Sequence, residues 1–348
     1  MKQPDLKILK GRGAQVNPAN RFQEWNYDPP FEEEKPTEYL IVHPKTILNK
    51  VNSPDIGMAW SMNPYQGCEH GCVYCYARNT HNYWGYSAGV EFEQKILVKT
   101  NAAELLENKL KSKRWEAAAI MLSGNTDCYQ PAEQKFQITR QILEVLWRYR
   151  HPVGIITKNS MILRDLDLLE KLSKEQLVKV SISLTSLDES VRCLLEPRTA
   201  TVKQRLKTIE ILAKANIPVN VMMAPIIPGI NDHEIMPLAK KVAELGASSM
   251  HYTIVRLNGD VAYIFEDWAR KMMPDRADKI LNQIKDLHGG QLNDSRFKTR
   301  MRGEGQYADI IQQQMVLARK KYFPEKQSNP FNIKLHERFK SDQLKLDF

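Results

Sequence analysis

The chain has 348 residues, of which 42% are hydrophobic and 26% charged, a composition typical of one large α/β domain or two smaller ones. Five cysteines are too few for a disulfide framework, no apolar stretch is long enough to span a membrane, and the N-terminus lacks the apolar segment of a secretory signal. These features predict a cytoplasmic protein. Its net charge of +9 favours an anionic partner or a lysine-rich solvated surface.

The first part of the chain, residues 1–56, predicts an irregular extension rich in proline, asparagine and charge. Short apolar segments then alternate with longer amphipathic ones. The predicted strands are residues 58–63, 118–124, 153–158, 178–185, 219–226 and 251–257, and the predicted helices are residues 101–113, 133–149, 163–173, 201–215 and 232–245. This alternation indicates an α/β fold with a parallel sheet and right-handed crossovers. A partial barrel is the simplest arrangement of such a sheet, and an open doubly wound sheet is the alternative.

The alternation ends near residue 258, which bounds a predicted core domain of residues 57–258. Helical patterns at 260–288 and 305–322 then predict a mainly helical C-terminal extension over 259–328. The remaining residues, 329–348, predict a mobile tail.

Three of the five cysteines lie within eight residues, in the stretch YQGCEHGCVYCYAR that follows the first predicted strand. Cys68, Cys72 and Cys75 have the spacing C-x3-C-x2-C, and thiolates are soft ligands for zinc, Cu(I) or iron–sulfur clusters. A structural zinc site uses four ligands, and neither His70 nor Cys128 stands at the usual spacing for the fourth. A 4Fe–4S cluster held by three thiolates keeps one iron open. The cysteines therefore favour an open, reactive cluster.

This loop resembles the cluster-binding loop of radical S-adenosylmethionine (SAM) enzymes, whose motif is C-x3-C-x-aromatic-C, with Tyr74 at the aromatic position. The wider wording NPYQGCEHGCVYCYAR is most similar to the branch containing spore photoproduct lyase and its uncharacterised bacterial relatives. The resemblance covers about residues 57–258. It implies a partial (βα)6 TIM-like barrel, a 4Fe–4S cluster on the three cysteines, and SAM chelated to the open iron. It also implies an electron donor such as flavodoxin or ferredoxin, and cleavage of SAM to a 5′-deoxyadenosyl radical that abstracts hydrogen from the substrate.

The same resemblance places SAM at the carboxyl ends of the strands, where each predicted strand ends in polar residues. It implies that Tyr74 contacts adenine and that the residues after the second strand hold the SAM amino group. Lys158 and Arg198 are alternatives for the SAM carboxylate, with Arg198 favoured because arginine binds carboxylates bidentately. The other candidates are Ser123, Gly124, Thr126 and Asp127 after the second strand, and Ser183 and Thr185 for the ribose hydroxyls.

Two further features bear on the substrate. In the photoproduct lyases, a cysteine in the general region of Cys128 returns a hydrogen atom to the product. Cys128 is therefore either a catalytic candidate or an ordinary half-buried thiol. The stretch RFKTRMRGEG is typical of a nucleic-acid contact or of a solvated face; its basic residues are Arg296, Lys298, Arg300 and Arg302. We expect a nucleic-acid substrate, DNA or RNA, for lesion repair or base modification. The alternatives are a peptide or small-molecule substrate and a non-enzymatic iron–sulfur or zinc protein.

The final six residues, QLKLDF, resemble the peptide by which bacterial DNA repair and replication proteins bind the polymerase sliding clamp. Gln343 would make directional hydrogen bonds, and Leu344, Leu346 and Phe348 would be apolar anchors in a groove. The alternative is that these side chains pack back on the fold. A clamp contact would favour DNA over peptide substrates.

Overall fold

The computed structural model describes residues 8–22, 36–324 and 330–339. Within them the chain forms a mixed α/β fold. The strands are β1 (Glu38–Val42), β2 (Leu48–Lys50), β3 (Trp60–Met62), β4 (Tyr65–Gln66), β5 (Lys95–Lys99), β6 (Ile120–Leu122), β7 (Val153–Thr157), β8 (Val178–Ser183), β9 (Val219–Ile226) and β10 (Ser249–Ile254). The helices are α1 (Glu91–Gln94), α2 (Ala102–Lys111), α3 (Ala132–Phe136), α4 (Ile138–Arg148), α5 (Leu166–Lys174), α6 (Glu189–Leu195), α7 (Val202–Lys214), α8 (Ile235–Glu244), α9 (Asp260–Met272), α10 (Ala277–Leu287), α11 (Gln306–Tyr322) and α12 (Leu335–Phe339).

Seven strands form the larger sheet, in the order β10-β9-β8-β7-β6-β3-β2. The strands from β10 to β3 are parallel, and β2 pairs antiparallel with β3 at the edge. The six parallel strands are the six that the sequence predicts, so the prediction of an α/β fold with a parallel sheet is confirmed. Crossover connections between them carry helices, as parallel pairing requires.

The two faces of this sheet differ in burial. In β8, Val178, Val180 and Ile182 are buried in the main core, whereas Lys179 and Ser181 remain partly accessible. The same alternation continues in β9, because successive side chains of a strand point to opposite faces. The sheet therefore has one fully packed face and one that remains partly accessible, which suits ligand binding.

Two predicted helices are interrupted. The predicted helix at 133–149 divides at Gln137, whose φ is 50°, because the buried carboxylate of Glu133 accepts a hydrogen bond from the backbone of Thr139 (3.0 Å) at the start of α4. The predicted helix at 260–288 divides at Pro274 into α9 and α10. By contrast, α7 begins with a complete capping box formed by Thr201 and Gln204.

No helix in the described part of the chain has the length and apolar character needed to cross a membrane.

A second, small sheet corrects the prediction that residues 1–56 are irregular. Its order is β1-β5-β4, with β1 parallel and β4 antiparallel to β5, and β2 of the larger sheet also lies within this lead-in. Strand β1 forms on the edge of β5, more than fifty residues away, and nothing in its local sequence indicates that partner. Strand β4 ends directly before Gly67 and Cys68, so the small sheet fixes the start of the cysteine loop.

The described part of the predicted tail is packed on the fold. Asn332 donates a backbone hydrogen bond to Gln176 (3.1 Å), and the buried ring of His336 lies 2.7 Å from the carbonyl oxygen of Tyr149. Residues 330–339 thus lie near the amino ends of β7 and β8, which corrects the prediction of mobility for this segment. The predicted clamp-binding residues, 343–348, lie outside the described residues.

Candidate functional site

Two glycines give the cysteine loop its course. Gly67 and Gly71 have φ values of 82° and 68°, a region that residues with a side chain rarely adopt. A Cβ atom on Gly67 would lie 2.6 Å from the carbonyl oxygen of Lys95. One on Gly71 would lie 2.8 Å from a carboxylate oxygen of Glu93. Both turns and both close approaches require glycine directly before a cysteine.

A buried ion pair holds this loop in place. The side chains of Arg78 and Glu93 are fully buried, and their nearest nitrogen and oxygen atoms are 2.5 Å apart. Arg78 also donates to the carbonyl oxygens of Cys72 (3.0 Å) and Gly89 (2.9 Å). Glu93 accepts from the backbone of Ala14 at 2.8 Å. The pair therefore joins the cysteine loop, the turn after it and the N-terminal segment.

The N-terminal segment is closely fitted to the same loop. A Cβ atom on Gly13 would lie 1.6 Å from the carbonyl oxygen of Gly71, so the two backbones touch. The backbone nitrogen of Gly13 donates to Glu93 at 3.2 Å. Residues 12–14 thus act as a strap across the outside of the cysteine loop.

The three thiols of the loop lie near one another and are compatible with a four-iron cluster. Cys68 and Cys72 are buried and Cys75 is partly accessible. Burial raises the pKa of each thiol, and the proximity of Cys72 and Cys75 raises the pKa of Cys68 further. Among the described residues, no three side chains converge as ligands of one metal ion. A 4Fe–4S cluster places each thiolate on a different iron, so its ligands need not converge, and the bound iron would stabilise the thiolate forms.

Asp127, a predicted SAM ligand, instead organises the carboxyl ends of β6 and β7. It accepts hydrogen bonds from the hydroxyl of Thr157 (2.8 Å), the backbone of Lys158 (2.8 Å) and the backbone of Tyr129 (2.9 Å), and it lies 3.3 Å from Nδ1 of His70. Burial alone would raise the pKa of Asp127, but His70 and these hydrogen bonds lower it overall. The carboxylate is therefore an ionised tie between the strand ends and the cysteine loop.

The other candidates after β6 also make contacts within the protein. Ser123, with φ of 72°, accepts a hydrogen bond from the backbone of Cys128 (2.7 Å), and the hydroxyl of Thr126 donates to the carbonyl oxygen of Tyr65 (2.6 Å). The carbonyl oxygen of Gly124 accepts a hydrogen bond from the hydroxyl of Tyr76. The backbone of this loop thus contacts Tyr76, the residue after Cys75.

A buried glutamate that the sequence reasoning did not select lies behind Tyr74. Glu196 accepts hydrogen bonds from the hydroxyls of Tyr74 and Thr185 (3.1 Å for Thr185) and pairs with Arg205 (2.6 Å) and Lys158 (3.5 Å). Burial alone would raise the pKa of Glu196, but the charges of Arg205 and Lys158 lower it to about 2. The only sequence signal was its place in LEPRTA, where Arg198 drew attention instead.

The two cations predicted for the SAM carboxylate lie in different places. Lys158 is close enough to Cys72 and Cys75 for its charge to act on both thiols, and its side chain is mostly buried. Arg198 is exposed; its backbone donates to the carbonyl oxygen of His70 (3.2 Å), and its charge acts on Arg12 of the strap. This geometry favours Lys158 over Arg198, the reverse of the sequence ranking. Ser183 is buried, and its carbonyl oxygen accepts from Arg205.

The two cysteines outside the loop differ in burial. Cys128 is fully buried in the main hydrophobic core, and burial raises the pKa of its thiol. These are the surroundings of an inert structural thiol, and they give no support to a catalytic role. Cys193 of α6 is exposed.

The predicted basic cluster is partly neutralised by its own neighbours. Arg296 pairs with Asp294 and Glu304, both at 2.8 Å, and Arg300 pairs with Asp55 at 2.6 Å. Lys298 and Arg302 are exposed, and within the described residues neither side chain has a hydrogen-bond or ion-pair partner. Two of the four predicted basic residues thus keep their charge available to a ligand.

Comparison with known proteins gives a family match and a fold likeness. The radical SAM superfamily profile matches residues 62–242. An uncharacterised protein of Mycobacterium bovis is 32% identical over 247 residues, which cover 70% of this chain and 72% of the relative. One of Methanocaldococcus jannaschii is 27% identical, covering 71% of this chain and 88% of the relative. A solved structure of spore photoproduct lyase complexed with dinucleoside spore photoproduct superposes with a TM-score of 0.61 at 15% identity, over 82% of this chain and 80% of the lyase chain.

We predict that Glu93→Gln destabilises the protein by about 3–5 kcal/mol, because it leaves the buried charge of Arg78 without its partner. Urea denaturation followed by circular dichroism measures the change. Glu210→Gln is the matched control, since Glu210 pairs with Lys207 and Lys214 on an exposed helix surface and its loss should leave the midpoint unchanged. Equal effects of the two substitutions would contradict a structural role for the Arg78–Glu93 pair.

Proposed function

Because this chain belongs to the radical SAM superfamily, whose enzymes use a 4Fe–4S cluster and SAM, we propose that it is a cytoplasmic radical SAM enzyme that acts on nucleic acid. When bound, the cluster and SAM supply one-electron cleavage of SAM and hydrogen abstraction from the substrate. Cys68, Cys72 and Cys75 would hold the cluster. Superfamily members need an electron donor, and flavodoxin or ferredoxin is the kind of partner we expect.

The residues around the cysteine loop suit the binding of SAM. Lys158 would pair with the SAM carboxylate, since it is the mostly buried cation whose charge acts on two of the thiols. Tyr74 would pack against the adenine with its hydroxyl fixed by Glu196. The backbone after β6, at Ser123 and Gly124, would approach the amino group. Thr185 would contact the ribose from the end of β8.

We further infer that the larger sheet is curved into a partial (βα)6 barrel. Contacts between the two ends of the sheet support this. Asn79, shortly after the cysteine loop that follows β3, donates to the carbonyl oxygen of Asn258 (2.7 Å), which follows β10. Asp55, before β3, pairs with Arg300 of the segment attached to β10. Contacts of this kind are expected when the outer strands of the parallel sheet approach one another.

The observation that carries the nucleic-acid proposal is the position of the basic segment, residues 292–302. Backbone hydrogen bonds attach it to the edge of β10, from Ile254 to Met301 (3.0 Å) and from Leu257 to Leu292 (2.9 Å). Its two uncompensated cations, Lys298 and Arg302, therefore lie at an end of the strands that also carry the site. The fold likeness to a lyase solved with a dinucleoside photoproduct favours the same substrate class. Residues 343–348 remain a prediction for a sliding-clamp contact, which would favour DNA.

Metal content tests the proposed cluster. After anaerobic reconstitution we expect about four irons and four sulfides per chain, and loss of the cluster when Cys68, Cys72 or Cys75 is replaced by alanine. Cys193→Ala is the control, because this thiol is exposed and lies outside the loop, and it should retain the full iron content. One zinc per chain instead of the cluster would refute the proposal.

The two candidate cations for SAM can be separated by titration of the reconstituted protein. We expect Lys158→Met to weaken SAM binding by about 1.5–3 kcal/mol, because it removes a charged hydrogen-bond donor. Arg198→Met should bind SAM with unchanged affinity, since Arg198 is exposed beside Arg12. Isothermal titration calorimetry measures both. The opposite order of effects would restore Arg198 as the carboxylate ligand.

Photo-cross-linking in cells tests the substrate class. We expect the full chain to be captured with nuclease-sensitive adducts, and fewer of them when Lys298 and Arg302 are both replaced by glutamine. Replacing Lys207 and Lys214, which pair with Glu210 on α7, is the control for a general loss of surface charge. Adducts that resist nuclease and are digested by protease would support a peptide substrate and overturn the proposal.

A further inference from the structure

Arg256 is a cation at the end of β10 whose charge is not balanced within the site. Strand pairing continues one residue beyond β10, where the backbone of Val255 donates to the carbonyl oxygen of Ile226 (2.9 Å). Val255 and Leu257 are buried in the second hydrophobic core. Because side chains alternate along an extended chain, Arg256 points to the opposite side, where it is half-buried.

The basic segment, residues 292–302, brackets this position. It is bonded to the backbone on either side of Arg256, at Ile254 and Leu257. The nearby carboxylate of Asp55 is already committed, since it accepts hydrogen bonds from the backbone of Lys298 (2.7 Å) and from Nε of Arg300 (2.6 Å). Among the described residues, the guanidinium of Arg256 has neither a hydrogen-bond partner nor an ion-pair partner.

The electrostatic surroundings of Arg256 favour an anion. Burial lowers the pKa of Arg256, and the charge of Arg300 lowers it further, against smaller opposing effects of Tyr76 and Asp55. Arginine nevertheless stays protonated. A half-buried cation beside another cation is stabilised when a ligand supplies negative charge and hydrogen-bond acceptors.

Arg256 also lies close enough to the cysteine loop for its charge to act on Tyr76. Its neighbour Tyr76 directly follows Cys75 of the cysteine loop and is 46% exposed. The hydroxyl of Tyr76 donates to Gly124 at the end of β6. An anion held by Arg256 would therefore lie beside the residues proposed to hold the cluster and SAM.

We propose that Arg256 binds a phosphodiester group of the substrate, next to the nucleotide that reacts. This inference rests on the proposed nucleic-acid function and assigns a specific contact within it. A phosphodiester fits better than an isolated carboxylate, because exposed Lys298 and Arg302 extend the positive charge along the neighbouring segment and a polyanion can use all three cations. The guanidinium can bind two phosphate oxygens at once.

The test is binding of a fluorescein-labelled single-stranded oligonucleotide to the reconstituted full chain over a series of salt concentrations. We expect Arg256→Gln to weaken binding about tenfold or more and to reduce the slope of log K against log salt by about 0.7, the loss of one phosphate contact. Arg256→Lys should keep most of the salt slope but lose part of the affinity. Arg296→Gln is the matched control, because Arg296 is paired with Asp294 and Glu304 and should stay within about twofold of the native affinity.

The unfolding midpoint should be unchanged in Arg256→Gln, which separates loss of contact from loss of fold. Equal oligonucleotide binding by the native protein and Arg256→Gln would overturn the inference while leaving the nucleic-acid function intact. Where the native protein binds no oligonucleotide, tripolyphosphate binding shows whether the anion site at Arg256 fails as well. If the native protein binds tripolyphosphate through Arg256 but binds no oligonucleotide, the anion site stands and the nucleic-acid function fails. If the native protein binds neither, both fail.

Discussion

The buried ion pair between Arg78 and Glu93 is the interaction on which the cysteine loop depends. An unpaired charge at this depth would be strongly destabilising, so each partner requires the other. Arg78 donates a hydrogen bond to the loop backbone, and Glu93 accepts one from the strap at residues 12–14. The pair therefore connects two segments that are far apart in the sequence. The loop that presents three thiols is thus held by polar contacts to the protein rather than by the thiols themselves.

The sequence predicts the parallel sheet well because its signals are local. Each of β6 to β10 is a short apolar segment between helical patterns, and each pairs with the strand that comes next to it along the chain. Strand β1 is not predictable in this way, since it depends on pairing with distant β5. Cys68, Cys72 and Cys75 are found from their spacing, whereas the pairing of Arg78 with Glu93 depends on how distant segments meet.

Some site residues were predicted from their position in the chain and others from the chemistry of their side chains. Position at a strand end suggested Asp127 as a SAM ligand, yet its contacts show a carboxylate committed to Thr157 and the backbone of Lys158. Preference for arginine as a bidentate ligand favoured Arg198, although Arg198 is exposed and its charge acts on Arg12. The intrinsic chemistry of a side chain cannot indicate which partner the fold supplies, so ranking among polar residues requires the structure.

The partners that the fold supplies also decide which charges are structural and which are left for ligands. Glu196 is surrounded by Arg205, Lys158 and two hydroxyls, so its negative charge is already satisfied and its role is to orient Tyr74 and Lys158. In the basic segment, Asp294, Glu304 and Asp55 neutralise Arg296 and Arg300 in a similar manner. A count of basic residues therefore overstates what this surface offers to a polyanion. On this surface, the cations left without a partner among the described residues are Arg256, Lys298 and Arg302, and only these are free to replace the counterions of a polyanion.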